Sequence, residues 1–165
     1  MEKQFLQTLV SYNVWANERI ISTLTQFSDD LLNKELSNSF NTIRKTVYHI
    51  WDAQVIWLNR INGISLQDWP SKTYENFQEH YFAHFIDQSK EFEKFIHSKT
   101  EMYFKTSIKY ETLKGEKYEN KVWEIVIHCM NHSTYHRGQL ITMLHQIGIK
   151  NLISTDIIFY LRENI

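Results

Sequence analysis

The chain has 165 residues, about one domain by length, and folding at that size buries roughly two-thirds of the unfolded surface in a single core. Eighteen basic residues against nineteen acidic ones leave a formal charge of -1, without the basic footprint of a nucleic-acid binder or of an anionic-membrane binder. With 42% hydrophobic and 22% charged residues the composition is globular rather than disordered, and one cysteine, Cys129, excludes an internal disulfide framework and fits a reducing compartment.

The start Met1-Glu2-Lys3-Gln4 has no apolar signal segment behind it, and no stretch approaches the roughly 18 uncharged apolar residues of a membrane span. A soluble cytoplasmic protein is expected, with no membrane and no nucleic acid among its partners. Four glycines and one proline leave room for long helices rather than many short strands.

Phe5, Leu6, Leu9, Val10, Ala16, Ile20, Leu24 and Phe27 recur at three- and four-residue steps, which predicts a first helix from Phe5 to about Gln26. A second helix opens near Ser39 as N-cap, carries Phe40, Ile43, Val47, Ile50, Trp51, Trp57, Leu58 and Ile61, and stops at Gly63. Its bulky residues cover much of its circumference, so it is expected inside the bundle. The segment Gly63 to Ser71, with Pro70, reads as a surface connection. A third helix follows from about Thr73 to His97, striped by Phe77, Tyr81, Phe82, Phe85, Phe92 and Phe95. Between Glu101 and Asn120 the period becomes two, with Phe104, Thr106, Ile108 and Tyr110 alternating with Tyr103, Lys105, Ser107 and Lys109, and a hairpin turns near Lys114-Gly115. A fourth helix runs from about Lys121 to Gln146, ending at Gly148, and a short tail helix from about Thr155 to Arg162. The reading is a single all-α domain over residues 1–165, a four-helix bundle with a small β-hairpin or extended insert before the last long helix.

His128, His132 and His136 stand four apart on the fourth helix, each step advancing about 40° around the axis. Side chains at that spacing lie about 5 to 6 Å apart at Cβ, so His132-x3-His136 can offer two imidazoles to one ion. A third ligand has to come from another helix, and His49, in the middle of the second, is the best candidate. A bare His-x3-His pair is more often structural or on the surface, and the spacing alone leaves that reading open.

The run His128-Cys129-Met130-Asn131-His132-Ser133-Thr134-Tyr135-His136-Arg137-Gly138-Gln139-Leu140 resembles the signature of the DinB/YfiT-like family of small bacterial metalloproteins, in which an N-H-x3-H-R-G-Q string marks the last bundle helix. Tyr12-Asn13-x-Trp15-Ala16-Asn17 resembles the family's first-helix pattern, and His49-Ile50-x-Asp52-Ala53 with Trp57 its second-helix histidine motif. The tail Asp156-Ile157-Ile158-Phe159-Tyr160-Leu161 also looks familial, so the resemblance covers most of the chain.

The resemblance implies a bundle of the DinB/YfiT type with a three-histidine metal site at His49, His132 and His136, holding a divalent ion such as zinc or nickel. It places His128 beside the site rather than on the ion, and implies a homodimer, for which the aromatic load of the first and third helices could supply a face. His80, His84, His97 and His145 have no such match and read as surface or core residues. Asp52, one turn from His49, either orients an imidazole or is a surface carboxylate. Gln139 is expected to line the pocket, Arg137 to pair with a carboxylate, Cys129 to be core, and Trp15, Trp51, Trp57 and Trp123 to be packing, one of them a possible pocket wall.

Three neutral imidazoles leave the charge of an ion uncompensated and a coordination position open, the catalytic pattern. An ion so held activates a water or a low-molecular-weight thiol. By resemblance the chain is a thiol-dependent S-transferase or isomerase, or a hydrolase, acting on a small molecule. The alternative is a non-catalytic, stress-related metal-binding bundle, which an acid such as Asp52 reaching the open position would support.

Overall fold

The computed structural model describes residues 3–74 and 80–163. In chain order these form α1 (Lys3–Leu24), α2 (Asp29–Leu32), α3 (Ile43–Ile61), α4 (Ser71–Tyr74), α5 (Tyr81–His97), α6 (Glu101–Phe104), a hairpin of β1 (Ser107–Glu111) and β2 (Lys117–Lys121), α7 (Val122–Gln146) and α8 (Ile157–Glu163). The four long helices α1, α3, α5 and α7 are the bundle read from the sequence, with the hairpin before the last of them and the short helix at the C-terminal end.

Three boundaries differ from the sequence reading. The cap of α3 is Thr42 rather than Ser39: the Thr42 hydroxyl accepts from Lys45 N at 3.1 Å, leaving Phe40 in the preceding loop. Asn41, at φ 62°, sets that loop, and asparagine is the non-glycine residue that best tolerates the left-handed region. Regular α5 begins at Tyr81, and the described residues before it hold the short turn α4; residues 75–79, including Phe77, lie outside the described residues. Glu101–Phe104 is a helical turn capped by Thr100, not strand, so the alternating pattern becomes sheet only from Ser107. The hairpin pairs antiparallel with Tyr110 opposite Tyr118, and Gly115, at φ 80°, makes its turn.

Packing explains why the helices stay in register. Two apolar clusters fill the bundle, one around Leu24, Ile43, Val47, Phe85 and Leu144, the other around Leu6, Phe92, Ile96, Val126 and Cys129. Phe85 and Phe92 are therefore core, while Phe82 and Phe95 are partly buried. Exposed apolar residues include Phe5 on α1, Trp69 before α4, Met102 on α6, Tyr135 on α7 and Ile157, Ile158, Phe159 and Leu161 on α8.

Between the clusters lies a buried polar layer to which all four long helices contribute. The Arg137 guanidinium donates through Nη1 to Asn13 Oδ1 at 2.6 Å and Asn17 Oδ1 at 2.8 Å, and through Nη2 to Thr134 Oγ1 at 2.9 Å. Asn13 passes the chain to Gln54 on α3 at 3.2 Å, and Asn17 to Ser89 on α5 at 3.0 Å. Arg137 thus has amide oxygens and the face of the Tyr12 ring as partners where a carboxylate was expected. The amides meet Nη1 of this buried guanidinium without burying a second charge, while fixing which helix faces which; Nε has no partner among the described residues.

No helix among the described residues is long and apolar enough to cross a membrane.

Candidate metal centre

His49 lies mid-way along α3, and His132 and His136 lie on the facing turns of α7, so the pairing of these two helices decides where the three rings meet. His49 Nε2 and His132 Nε2 are 3.0 Å apart, and one ring nitrogen from each of His49, His132 and His136 falls within 4.8 Å of the others. Two nitrogens each about 2.1 Å from one ion lie at most about 4.2 Å apart. The cluster is therefore at or within a small ring rotation of the spacing a shared ion demands. Each ring centroid is 4.3 to 4.8 Å from the other two.

The surroundings hold all three imidazoles neutral. Burial, then the neighbouring His136, pushes His49 down to about 4. Burial, followed by repulsion from His136, His49 and His128, pushes His132 down to about 3. Burial also lowers His136, against an opposing hydrogen bond from Gln139. Neutral imidazole is the metal-ligating form, so these shifts leave the lone pairs free near neutral pH.

Gln139 shapes the site in a way the sequence reading missed. Its Oε1 lies 2.7 Å from His136 Nδ1, which makes Nδ1 the donor and leaves Nε2 its lone pair. The i,i+3 spacing of His136 and Gln139 was the available signal. Phe40 stacks on His49 with centroids 4.0 Å apart and meets His136 edge-on at 5.5 Å. Sequence reasoning had placed Phe40 inside the helix; the Asn41 turn brings it over the site instead. Buried His132 Nδ1 has no protein partner, and no carboxylate joins the group among the described residues. An all-imidazole donor set suits zinc, nickel, copper or iron rather than calcium or magnesium, so the residues fit a borderline divalent ion.

The remaining residues sort clearly. Asp52 is buried and stands outside the three-histidine group: its Oδ1 accepts from Ser71 N at 2.6 Å at the start of α4, and burial raises its carboxyl to about 6. It neither orients His49 nor sits on the surface. His128 is a neighbour of the cluster, its ring 6.1 Å from that of His132 and edge-on to Trp57 at 4.9 Å. Cys129 is fully buried, and its thiol is raised by that burial, consistent with a core role. Of the unmatched histidines, His80, His97 and His145 are exposed and His84 stacks on Trp51.

A cavity of about 340 Å³ opens beside the cluster, with His49, His132 and His128 on one side and Trp57, Trp69, Arg60 and the hairpin turn Thr112–Glu116 around it. The hairpin is held there by Ser65, whose hydroxyl accepts from Glu111 N at 3.0 Å. Trp57 is thus the wall that one tryptophan was expected to supply. Trp69, Arg60 and the hairpin turn carry no signature in the sequence and are placed by tertiary structure alone.

A helical bundle with three convergent imidazoles, two of them lining an adjoining cavity, defines a candidate metalloprotein. The DinB family model matches residues 1–164, and the chain belongs to that family. Among curated proteins it is similar to Protein DinB of Bacillus subtilis (strain 168), 26% identical over 152 residues covering 87% of each chain.

Proposed function

We propose that this DinB-family protein is a metal-dependent enzyme acting on a small molecule in the cytoplasm, with His49, His132 and His136 holding a zinc or nickel ion. The observation that carries the reading is the convergence of three neutral imidazoles, two of which, His49 and His132, line a cavity large enough for a small ligand. A bound divalent ion supplies Lewis acidity at an open position, lowering the pKa of a coordinated thiol or water toward neutrality.

The protein's own groups do the rest. Gln139 fixes the tautomer of His136, and Phe40 holds the plane of His49. Trp57 and Trp69 give the cavity apolar walls beside the site. His128, kept neutral by burial and by the Arg60 charge, stands where it can take the proton of a thiol or water entering the cavity. Thiol transfer to an electrophilic carbon is the favoured reaction and hydrolysis the second. A non-catalytic bundle would be favoured by an acid closing the site, and Asp52, the residue expected to provide it, is engaged by Ser71. Pairing with a second copy is proposed from the family resemblance and is read by sedimentation of the same sample.

The test is cobalt(II) substitution followed by titration with free cysteine as probe thiol. A ligand-field spectrum, joined on thiol addition by a near-ultraviolet sulfur-to-cobalt band and absent in His132→Ala, supports the reading. Cobalt without a specific spectrum contradicts the metal site, and a spectrum unmoved by thiol turns the reaction toward hydrolysis.

A further inference from the structure

Arg60 is 8% exposed, yet among the described residues it has no acidic partner and no side-chain hydrogen bond. Its guanidinium carbon lies 4.4 Å from the centroid of Trp57 and 4.8 Å from that of Tyr110, so the plane is clamped by two rings. Tyr110 is itself fixed, its hydroxyl donating to Asn120 Oδ1 at 2.8 Å. Nε is buried without a partner, and the side chain forms part of the cavity wall shared with His132 and His128. A desolvated guanidinium with unused donors is costly unless something completes it, and its forked geometry matches a planar oxyanion.

The rest of the cavity narrows the ligand. Lys114 and Glu116 enter from the hairpin turn with opposite charges, so Arg60 leaves one net positive charge among the fixed ionic groups there. The other walls include Ala53, Ile56 and Leu113, with Trp57 and Trp69. This is a surface for one anionic head and one apolar body.

We infer that the cavity binds a small carboxylate-bearing molecule with an apolar body, its carboxylate held by Arg60 and its body between Trp57, Trp69 and Ile56, next to the three histidines. The inference names the ligand class of the proposed active site and rests on that reading for its chemistry. Binding through Arg60 does not require the ion.

Equilibrium dialysis with 2-naphthoate and its neutral analogue 2-naphthamide tests it on metal-free and zinc-loaded protein. The wild type is expected to prefer the carboxylate by at least about tenfold in both forms. Arg60→Met is expected to reduce that preference to below about threefold while naphthamide still binds. Arg60→Gln, which keeps a polar head, gives the same comparison should the methionine variant lose its helical circular dichroism. Equal binding of the two probes by the wild type overturns the inference. So does a preference that survives both substitutions, or one present with zinc and lost on chelation, which would make the ion the anchor. Failure of the metal reading shows separately, as no zinc uptake, and leaves the metal-free comparison to stand.

Discussion

Replacing Asn17 by alanine tests whether the buried polar layer sets the bundle's register. Asn17 Oδ1 accepts from Arg137 Nη1 at 2.8 Å, and its amide donates to Ser89 Oγ at 3.0 Å, both out of water. Truncation removes one charge-assisted bond, worth about 1.5 to 3 kcal/mol, and one neutral bond of about 1 kcal/mol. It leaves a donor of a buried cation unmet except by Asn13 and Thr134. A loss of about 2.5 to 4 kcal/mol follows, which for a chain of this length lowers Tm by about 5 to 16 °C. Urea unfolding followed by circular dichroism reads the value, and a double-mutant cycle with Arg137→Met separates the pairwise term. Because each single change strands the other partner, the double variant is expected to be more stable than the sum of the singles by at least about 1 kcal/mol. Additive losses, or a cost for Asn17→Ala below about 0.5 kcal/mol, would refute the coupling.

Three further outcomes follow from the site. Gln139→Leu frees the tautomer of His136 and is expected to weaken zinc about 10- to 100-fold in a chelator competition, with unfolding little changed. Acid is expected to destabilise the metal-free protein between about pH 6.5 and 4: His49 and His132 titrate near 4 and 3 when folded and near 6.5 when unfolded, so the unfolded chain binds more protons as pH falls. Asp52, raised to about 6, works in the opposite direction over the same range. After discounting for the partial solvent access of all three groups the histidines win by about 2 kcal/mol, and urea midpoints across pH in wild type and His132→Phe check this, the variant having the shallower slope. Phe40→Ala, which uncovers His49 and His136, is expected to raise the pH at which zinc is released, because more accessible imidazoles protonate more readily; a pH titration with a zinc dye reads it.

Periodicity carried most of the fold because long helices write their buried face into the chain. Leu6, Val10, Ile20 and Leu24 on α1, and Ile50, Leu58 and Ile61 on α3, are buried as their spacing requires. The boundaries failed where neighbouring residues offer similar local chemistry. Ser39 and Thr42 can both cap a helix, and the left-handed Asn41 between them decides the matter. The alternation from Phe104 began too early because Thr100 caps a helical turn first.

The histidine cluster was legible because two of its members share a helix at i,i+4 and the third sits on a helix already committed to the interior. Arg137 was misassigned because a charged side chain's partner depends on which helix faces it, and here α1 presents Asn13 and Asn17. That result also gives the Asn13 and Asn17 of the first-helix motif a physical role, holding the arginine of the last-helix motif. Arg60 and the hairpin wall were invisible for a like reason: a cavity is a property of elements distant in sequence. Asp52 sits at the expected spacing from His49, but the loop carrying Ser71 captures it first.

Metal content of tag-free protein, measured by mass spectrometry beside a His136→Ala variant, tests the central claim most directly. The account predicts close to one zinc or nickel ion per chain in the wild type and a large loss in the variant. An absence of ion from both proteins, even after incubation with zinc and nickel, would contradict it.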